Sequence, residues 1–116
     1  MTTEKHNCLE IEVLYLERIA LIGEKLVTVS LNDVSLQDAP ALPMASQTLR
    51  TDQNVPFDFK LRYDPSLIKD NHTYSISARI EHEGRLLYIN TRAYTIDLNN
   101  PSATPLTVVV QRITRD

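Results

Sequence analysis

The amino-acid sequence predicts an all-β protein, an antiparallel β-sandwich of about seven to eight short strands. Apolar and polar residues alternate with a period of two in several stretches, which is typical of half-buried strands. These stretches recur about every ten residues and are separated by Asn, Asp and Pro, which favour turns. A closed barrel is the alternative fold, because period-two alternation is common to sandwiches and barrels.

The first predicted strand begins at Leu9 and keeps its apolar alternation as far as Tyr15. The following strands are predicted, in chain order, over residues 25–34, 44–50, 55–63, 74–80, 85–90, 94–97 and 106–113. Because proline cannot donate to a sheet, Pro56 indicates that its strand begins there or lies at an edge. Glu83-Gly84 indicates a hairpin, since glycine readily adopts a positive φ. A single helical turn is predicted over residues 66–70.

The apolar rows of these strands define the predicted core. It is expected to contain Ile11, Val13, Val29, Leu31, Phe57, Phe59, Leu61, Ile76, Ile80 and Val108.

Length and composition exclude several classes of protein. The 116 residues match the size of one domain, predicted over 1–116 with 1–8 as a frayed N-terminus. Twelve basic and fifteen acidic residues give a net charge of −3, which argues against nucleic-acid binding. The single cysteine, Cys8, excludes a disulfide framework. No apolar run approaches the ~20 residues that a membrane helix requires.

Few residues suggest catalysis or metal binding. Glu10 and Glu12 lie on one side of the first strand, about 7 Å apart, which would suit a pair of catalytic carboxylates. Glutamates on an exposed strand face are, however, normally only solvated. His72 and His82 show no metal-ligand spacing in the sequence. We therefore predict no catalytic, metal or cofactor site, and the protein is expected not to be an enzyme.

Six blocks, occurring in order, resemble the YbaY/YscW family of small bacterial envelope lipoproteins. The blocks lie over residues 15–21, 31–40, 56–65, 74–80 and 84–88 and end at Tyr94. They begin with Tyr15-x-Glu-Arg-Ile-Ala-Leu21 and include Pro56-Phe-x-Phe-x-Leu-x-Tyr-Asp-Pro65. Together they span most of the chain, and their combination is specific although each alone is weak.

The resemblance implies an immunoglobulin-like sandwich and a location in the periplasm or at the outer membrane, with a lipid anchor. It also implies a pilotin-like role, in which a lipoprotein accompanies a secretin, the outer-membrane ring of a secretion system. The expected partner is therefore another envelope protein, with a secretin-like component as the leading candidate. No signal peptide or lipobox precedes Cys8 in this sequence, so the cytoplasm is the alternative compartment.

Some of the shared blocks suggest a cluster of polar residues that holds loops. Asp33 follows a strand and precedes Val34-Ser35, so it can accept backbone N–H bonds in an Asx-type turn. Arg18 reaches Asp33 or Asp38 if the two loops lie at the same end of the sandwich. The sequence thus predicts a loop-end polar cluster of Arg18, Asp33 and Asp38.

Two functions follow from these observations. The first is a noncatalytic envelope interaction protein, a pilotin-like chaperone that acts by protein–protein contact through strand addition or a groove. The alternative is a sandwich module that binds a glycan or peptide on exposed tyrosines. That alternative requires Tyr63, Tyr74 and Tyr88 to face solvent, and their burial would remove its main support.

Overall fold

The computed structural model describes residues 7–36, 39–98 and 105–113. These residues form nine strands and a single 3-10 turn at Pro65–Leu67. The strands are β1 (Asn7–Leu14), β2 (Lys25–Asp33), β3 (Leu42–Thr51), β4 (Phe57–Tyr63), β5 (Tyr74–His82), β6 (Arg85–Ile89), β7 (Tyr94–Ile96), β8 (Leu106–Val109) and β9 (Gln111–Arg112). No helix in this part of the chain is long and apolar enough to cross a membrane.

The strands form two sheets packed as a sandwich. One sheet has the order β4-β1-β8, and the other has the order β3-β2-β5-β6-β9, with β7 also paired to β5. One end of the sandwich, which we call the Asp33 end, contains the first residues of β1 and β5 and the last residues of β2 and β4. The opposite end, which we call the Lys25 end, contains the first residue of β2 and the last residues of β1 and β5.

Alternating apolar side chains fill the space between the sheets, as the sequence predicts. β4 shows strict alternation, with Phe57, Phe59, Leu61 and Tyr63 buried and the intervening residues exposed. All ten residues predicted for the core are buried, none more than 4% exposed. The β-sandwich prediction is therefore confirmed, and the barrel alternative does not apply because the sheets are separate.

The turn signals also act as predicted. β4 begins at Phe57, directly after the cis Val55–Pro56 bond, and β4 is an edge strand of its sheet. Glu83 and Gly84 both have positive φ and form the two-residue hairpin between β5 and β6. The helical turn lies over Pro65–Leu67 rather than 66–70, because the carboxylate of Asp64 accepts the N–H of Ser66 and fixes its start.

The C-terminal strand differs from the prediction. The single strand expected over residues 106–113 is two strands, β8 and β9, which belong to different sheets. The chain changes sheets at Val110, which is buried and donates its N–H to the carbonyl of Leu14 at 2.9 Å. The pairing of β8 with β1 is parallel, so the sandwich is not purely antiparallel. The described residues therefore contain nine strands instead of seven to eight.

Candidate functional site

The loop over residues 15–24, between β1 and β2, lies at the Lys25 end and is anchored to the core by two side chains. Tyr15 is 5% exposed and Leu21 is 9% exposed, and both belong to the core cluster. The hydroxyl of Tyr15 donates to the carbonyl of Ile19 at 2.9 Å, which closes the first half of the loop. The loop is thus folded onto the sandwich rather than extended into solvent.

An aromatic pair fixes the first half of the loop to the second sheet. The rings of Tyr15 and Tyr88 stack with centroids 4.6 Å apart. The Tyr88 hydroxyl donates to the Glu17 carboxylate at 2.8 Å. Burial, and then the bond to this carboxylate, raise the pKa of Tyr88 to about 12, so Tyr88 stays a neutral donor at physiological pH.

The second half of the loop is fixed by polar bonds. His82 Nε2 lies 2.7 Å from the carbonyl of Ile22, and since a carbonyl only accepts, this nitrogen carries the proton. Glu24 forms an ion pair with Arg50 of β3 at 2.8 Å. Lys25, 2% exposed, donates from Nζ to the carbonyl of Gln53 at 2.7 Å. Both ends of the loop are therefore tied to neighbouring strands.

This loop presents three large apolar side chains to solvent. Leu16 is 77% exposed, Ile19 42% and Ile22 86%. We call these three residues the loop surface. Exposed apolar side chains on a loop that is held in place are candidates for contact with another protein, because the surface is ordered before binding. The sequence marked this segment by its break in alternation but did not reveal which of its apolar residues are exposed.

The structure places two members of the predicted polar cluster, Arg18 and Asp33, apart from each other. Arg18 is exposed in the loop at the Lys25 end, whereas Asp33 is the last residue of β2. β2 runs the length of the sandwich, about 26 Å at roughly 3.3 Å per residue. Arg18 and Asp33 therefore lie at opposite ends. Asp38 lies outside the described residues, so its pairing with Arg18 stays a prediction.

Asp33 instead joins two connections at its own end of the sandwich. Its carboxylate accepts the Ser35 N–H at 3.0 Å and the Ser35 hydroxyl at 2.6 Å, which confirms the predicted Asx-type turn. The same carboxylate also lies 2.5 Å from Nδ1 of His72, which is in the connection between β4 and β5. The bonds from Ser35, and then from His72, lower the pKa of Asp33 to about 2. The Val34 N–H donates to the carbonyl of Thr73 at 2.8 Å, a second bond between the connection after β2 and the connection before β5.

The three tyrosines that the binding-module alternative requires on the surface are buried. Tyr63, Tyr74 and Tyr88 are 4%, 3% and 0% exposed, respectively. They occupy inward positions of their strands, where aromatic rings add to the apolar core. Tyr94 is half-buried and hydrogen-bonds to Val109. The glycan- or peptide-binding alternative, which requires these tyrosines to face solvent, therefore loses its main support.

The remaining candidate residues serve the sheets and loops. Glu10 is paired in register with Lys60 of β4, and Glu12 accepts a bond from Thr107 at 3.3 Å. His72 lies at the Asp33 end and His82 at the Lys25 end, so the two histidines do not converge.

Comparison with known proteins identifies the family. A family model described as "Type III secretion system lipoprotein chaperone (YscW)" matches residues 4–110. The chain belongs to this family. It is 30% identical, over 94 residues, to the uncharacterized lipoprotein YbaY of Escherichia coli strain K12. That match covers 80% of this chain and 50% of YbaY, so the chain spans about half the length of this curated relative.

A solved structure agrees with the family assignment. The chain is similar to an alternative pilotin from the type II secretion system of Vibrio cholerae, with a TM-score of 0.81 and 41% sequence identity. The match covers 92% of this chain and 98% of the pilotin. The sandwich and the family predicted from the sequence blocks are thus both confirmed.

Proposed function

We propose that this protein is a noncatalytic chaperone of a bacterial secretion system that binds a secretin-like component in the envelope. The observation that carries the proposal is the 41% identity and TM-score of 0.81 to a pilotin over nearly the whole of both chains. Likeness over that length supports the same kind of role as well as the same fold. The lipoprotein relatives support attachment to the envelope through a lipid anchor near the N-terminus.

The loop surface is the proposed contact with the partner. Leu16, Ile19 and Ile22 offer apolar side chains that an amphipathic segment can cover. Because the stack and hydrogen bonds already hold the loop, little conformational entropy is lost on binding. Glu17 and Arg18, both exposed beside these residues, supply charges of both signs at the rim of the contact.

The polar groups of the site support a role without catalysis. The Glu17 carboxylate is used by Tyr88 at the Lys25 end, and the Asp33 carboxylate is used by Ser35 and His72 at the other end. Each of these groups connects two segments of backbone. The arrangement suits a rigid binding module, in which polar contacts hold loops while apolar side chains face the partner.

The test measures secretin assembly in the source bacterium. We expect deletion of the gene to lower the amount of secretin multimer in the outer-membrane fraction, measured by membrane separation and immunoblotting. The wild-type gene should restore the multimer, and the variant Leu16→Asp/Ile22→Asp should not. The matched control is Leu36→Asp/Leu67→Asp, which changes two exposed leucines at the Asp33 end and should restore it.

The possible results test the proposed function and the proposed contact site separately. Unchanged secretin multimers in the deletion strain would contradict the proposed function. If the amount of secretin multimer depends on the gene but Leu16→Asp/Ile22→Asp restores it fully, the loop surface is not the contact site, while the proposed function stands. Unfolding of the purified variants in urea confirms that loss of rescue does not reflect loss of fold, since exposed positions contribute little to stability.

A further inference from the structure

The outer edge of β3 is a second surface, distinct from the loop surface. β3 spans ten residues, Leu42–Thr51, and lies at the end of its sheet. In the described part of the chain, β2 is the strand that pairs with β3, and no described strand pairs with its other edge. Such an edge presents unpaired N–H and C=O groups that can accept another strand.

This edge has little of the protection that sheet edges usually carry. Charged residues, prolines and bulges normally prevent edges from pairing. In β3 the proline and the register shift lie near one end, at Pro43 and opposite Leu31/Asn32. The one charged residue, Arg50, lies near the other end and is paired with Glu24 at 2.8 Å. The stretch from Ala45 to Leu49 is uncharged, with Ser46, Gln47 and Thr48 exposed and Ala45 and Leu49 half-buried.

The side chains of this stretch are complementary to themselves. Ala45, Gln47 and Leu49 are paired with inward residues of β2 and so share the core-facing side, while Ser46 and Thr48 share the outer side. In an antiparallel pair centred on Gln47, Ala45 lies opposite Leu49 of a second copy. Ser46 then lies opposite Thr48, which extends the hydroxyl pair that Thr48 already forms with Thr28 at 3.0 Å.

We propose that a second copy of this chain binds along the outer edge of β3, antiparallel, with the two-fold axis at Gln47. The two sheets join into one continuous sheet across the dimer. A second copy fits because the small Ala45 meets the larger Leu49 and Ser46 meets Thr48, and the two-fold axis of an isologous interface repeats both pairs. Arg50 is the one charged residue of β3 and lies three residues from the axis, so the arginines of the two copies do not meet. A contact of one strand pair is small, and the dimer is weak and reversible.

Sedimentation of the purified protein tests the dimer. We expect a concentration-dependent monomer–dimer equilibrium over roughly 10 μM to 1 mM, the range of a small interface. Gln47→Lys places two positive charges at the axis and should raise the dissociation constant at least about tenfold. The control Gln53→Lys makes the same change in the adjacent loop, where Gln53 is exposed, and should leave it unchanged. A monomer at all concentrations, or a dimer insensitive to Gln47→Lys, overturns the proposal.

Cross-linking tests the register independently. In a Cys8→Ser background, Gln47→Cys puts two thiols directly opposite, with Cα atoms about 4.5–5.5 Å apart, within disulfide range. Mild oxidation should therefore give a covalent dimer. The control is Thr48→Cys, in which the thiol of each copy lies opposite Ser46 of the other copy instead of a second thiol. It should cross-link much more slowly. Equal rates for the two variants would contradict an axis at Gln47.

Discussion

At the scale of single residues, the Tyr88 hydroxyl and the Glu17 carboxylate carry the link between the loop and the second sheet. Tyr88→Phe removes the 2.8 Å bond but keeps the ring stacked on Tyr15. We expect a loss of about 1 kcal/mol in the free energy of unfolding, because one hydrogen bond is lost without a cavity. Urea unfolding of Tyr88→Phe, Glu17→Ala and the double variant measures it. Strictly additive losses would show that the two groups are not coupled.

The ionisation of Asp33 affects how the free energy of unfolding depends on pH in the acid range. Its pKa falls from an ordinary 3.8 to about 2 in the folded protein, because Ser35 and then His72 bind its ionised form. The folded state therefore gains stability from this group above about pH 4, and the gain is lost as the pH falls toward 2. Wild type should exceed Asp33→Asn in unfolding free energy at pH 7, and the difference should shrink below about pH 4 and be lost as the pH falls through about 2. Asp58→Asn, at an exposed position of β4, is the control and should show a smaller difference at pH 7.

At the scale of elements, the change of sheet between β8 and β9 depends on Tyr94. The Tyr94 hydroxyl accepts the Val109 N–H at 2.9 Å, one residue before the chain crosses at Val110. Tyr94→Phe leaves this N–H without its partner, so local opening becomes easier. We expect faster amide exchange at Val109 and Val110 by NMR, with amides of β2 unchanged. Arg92→Ala removes only the cation over the Tyr94 ring and should leave Val109 protected.

The elements also show what the sequence predicts well. β2, β4 and β5 follow directly from alternation, because burial of one face of a strand leaves a period-two pattern in the sequence. The division of residues 106–113 into β8 and β9 does not follow, because the alternation continues across Val110 while the pairing partner changes. Which sheet a strand joins is a long-range property that a local pattern does not contain.

At the scale of the whole molecule, the site depends on which connections share an end of the sandwich. Asp33 and His72 are 39 residues apart in sequence and meet because β2 ends where β5 begins. Arg18 is closer in sequence to Asp33, yet β2 separates the two by its full length. Sequence reasoning found Asp33 and its local turn but did not find His72 as its distant partner, because the direction of each strand was not known. The exposure of Leu16 and Ile22 likewise follows from the tertiary position of the loop.

The same geometry predicts how the protein would be oriented on a membrane if it carries the proposed lipid anchor. β1 begins at the Asp33 end and leads to the loop surface at the Lys25 end, so an anchor near the N-terminus directs the loop surface away from the lipid. The exposed Cys8 of β1 allows coupling to a maleimide lipid. The chain has no tryptophan, so Ile22→Trp and Leu67→Trp each introduce a single fluorescent reporter, one at each end.

Energy transfer from these reporters to dansyl-labelled lipid headgroups measures the orientation on vesicles. We expect stronger transfer from Leu67→Trp, at the end where β1 begins, than from Ile22→Trp, since transfer falls steeply with distance. Both positions are exposed in the wild-type protein, so the two reporters start in similar solvent surroundings. Uncoupled protein mixed with the same vesicles is the control. Equal transfer from both would mean that the sandwich lies flat on the lipid, which would leave the loop surface less accessible to the proposed partner.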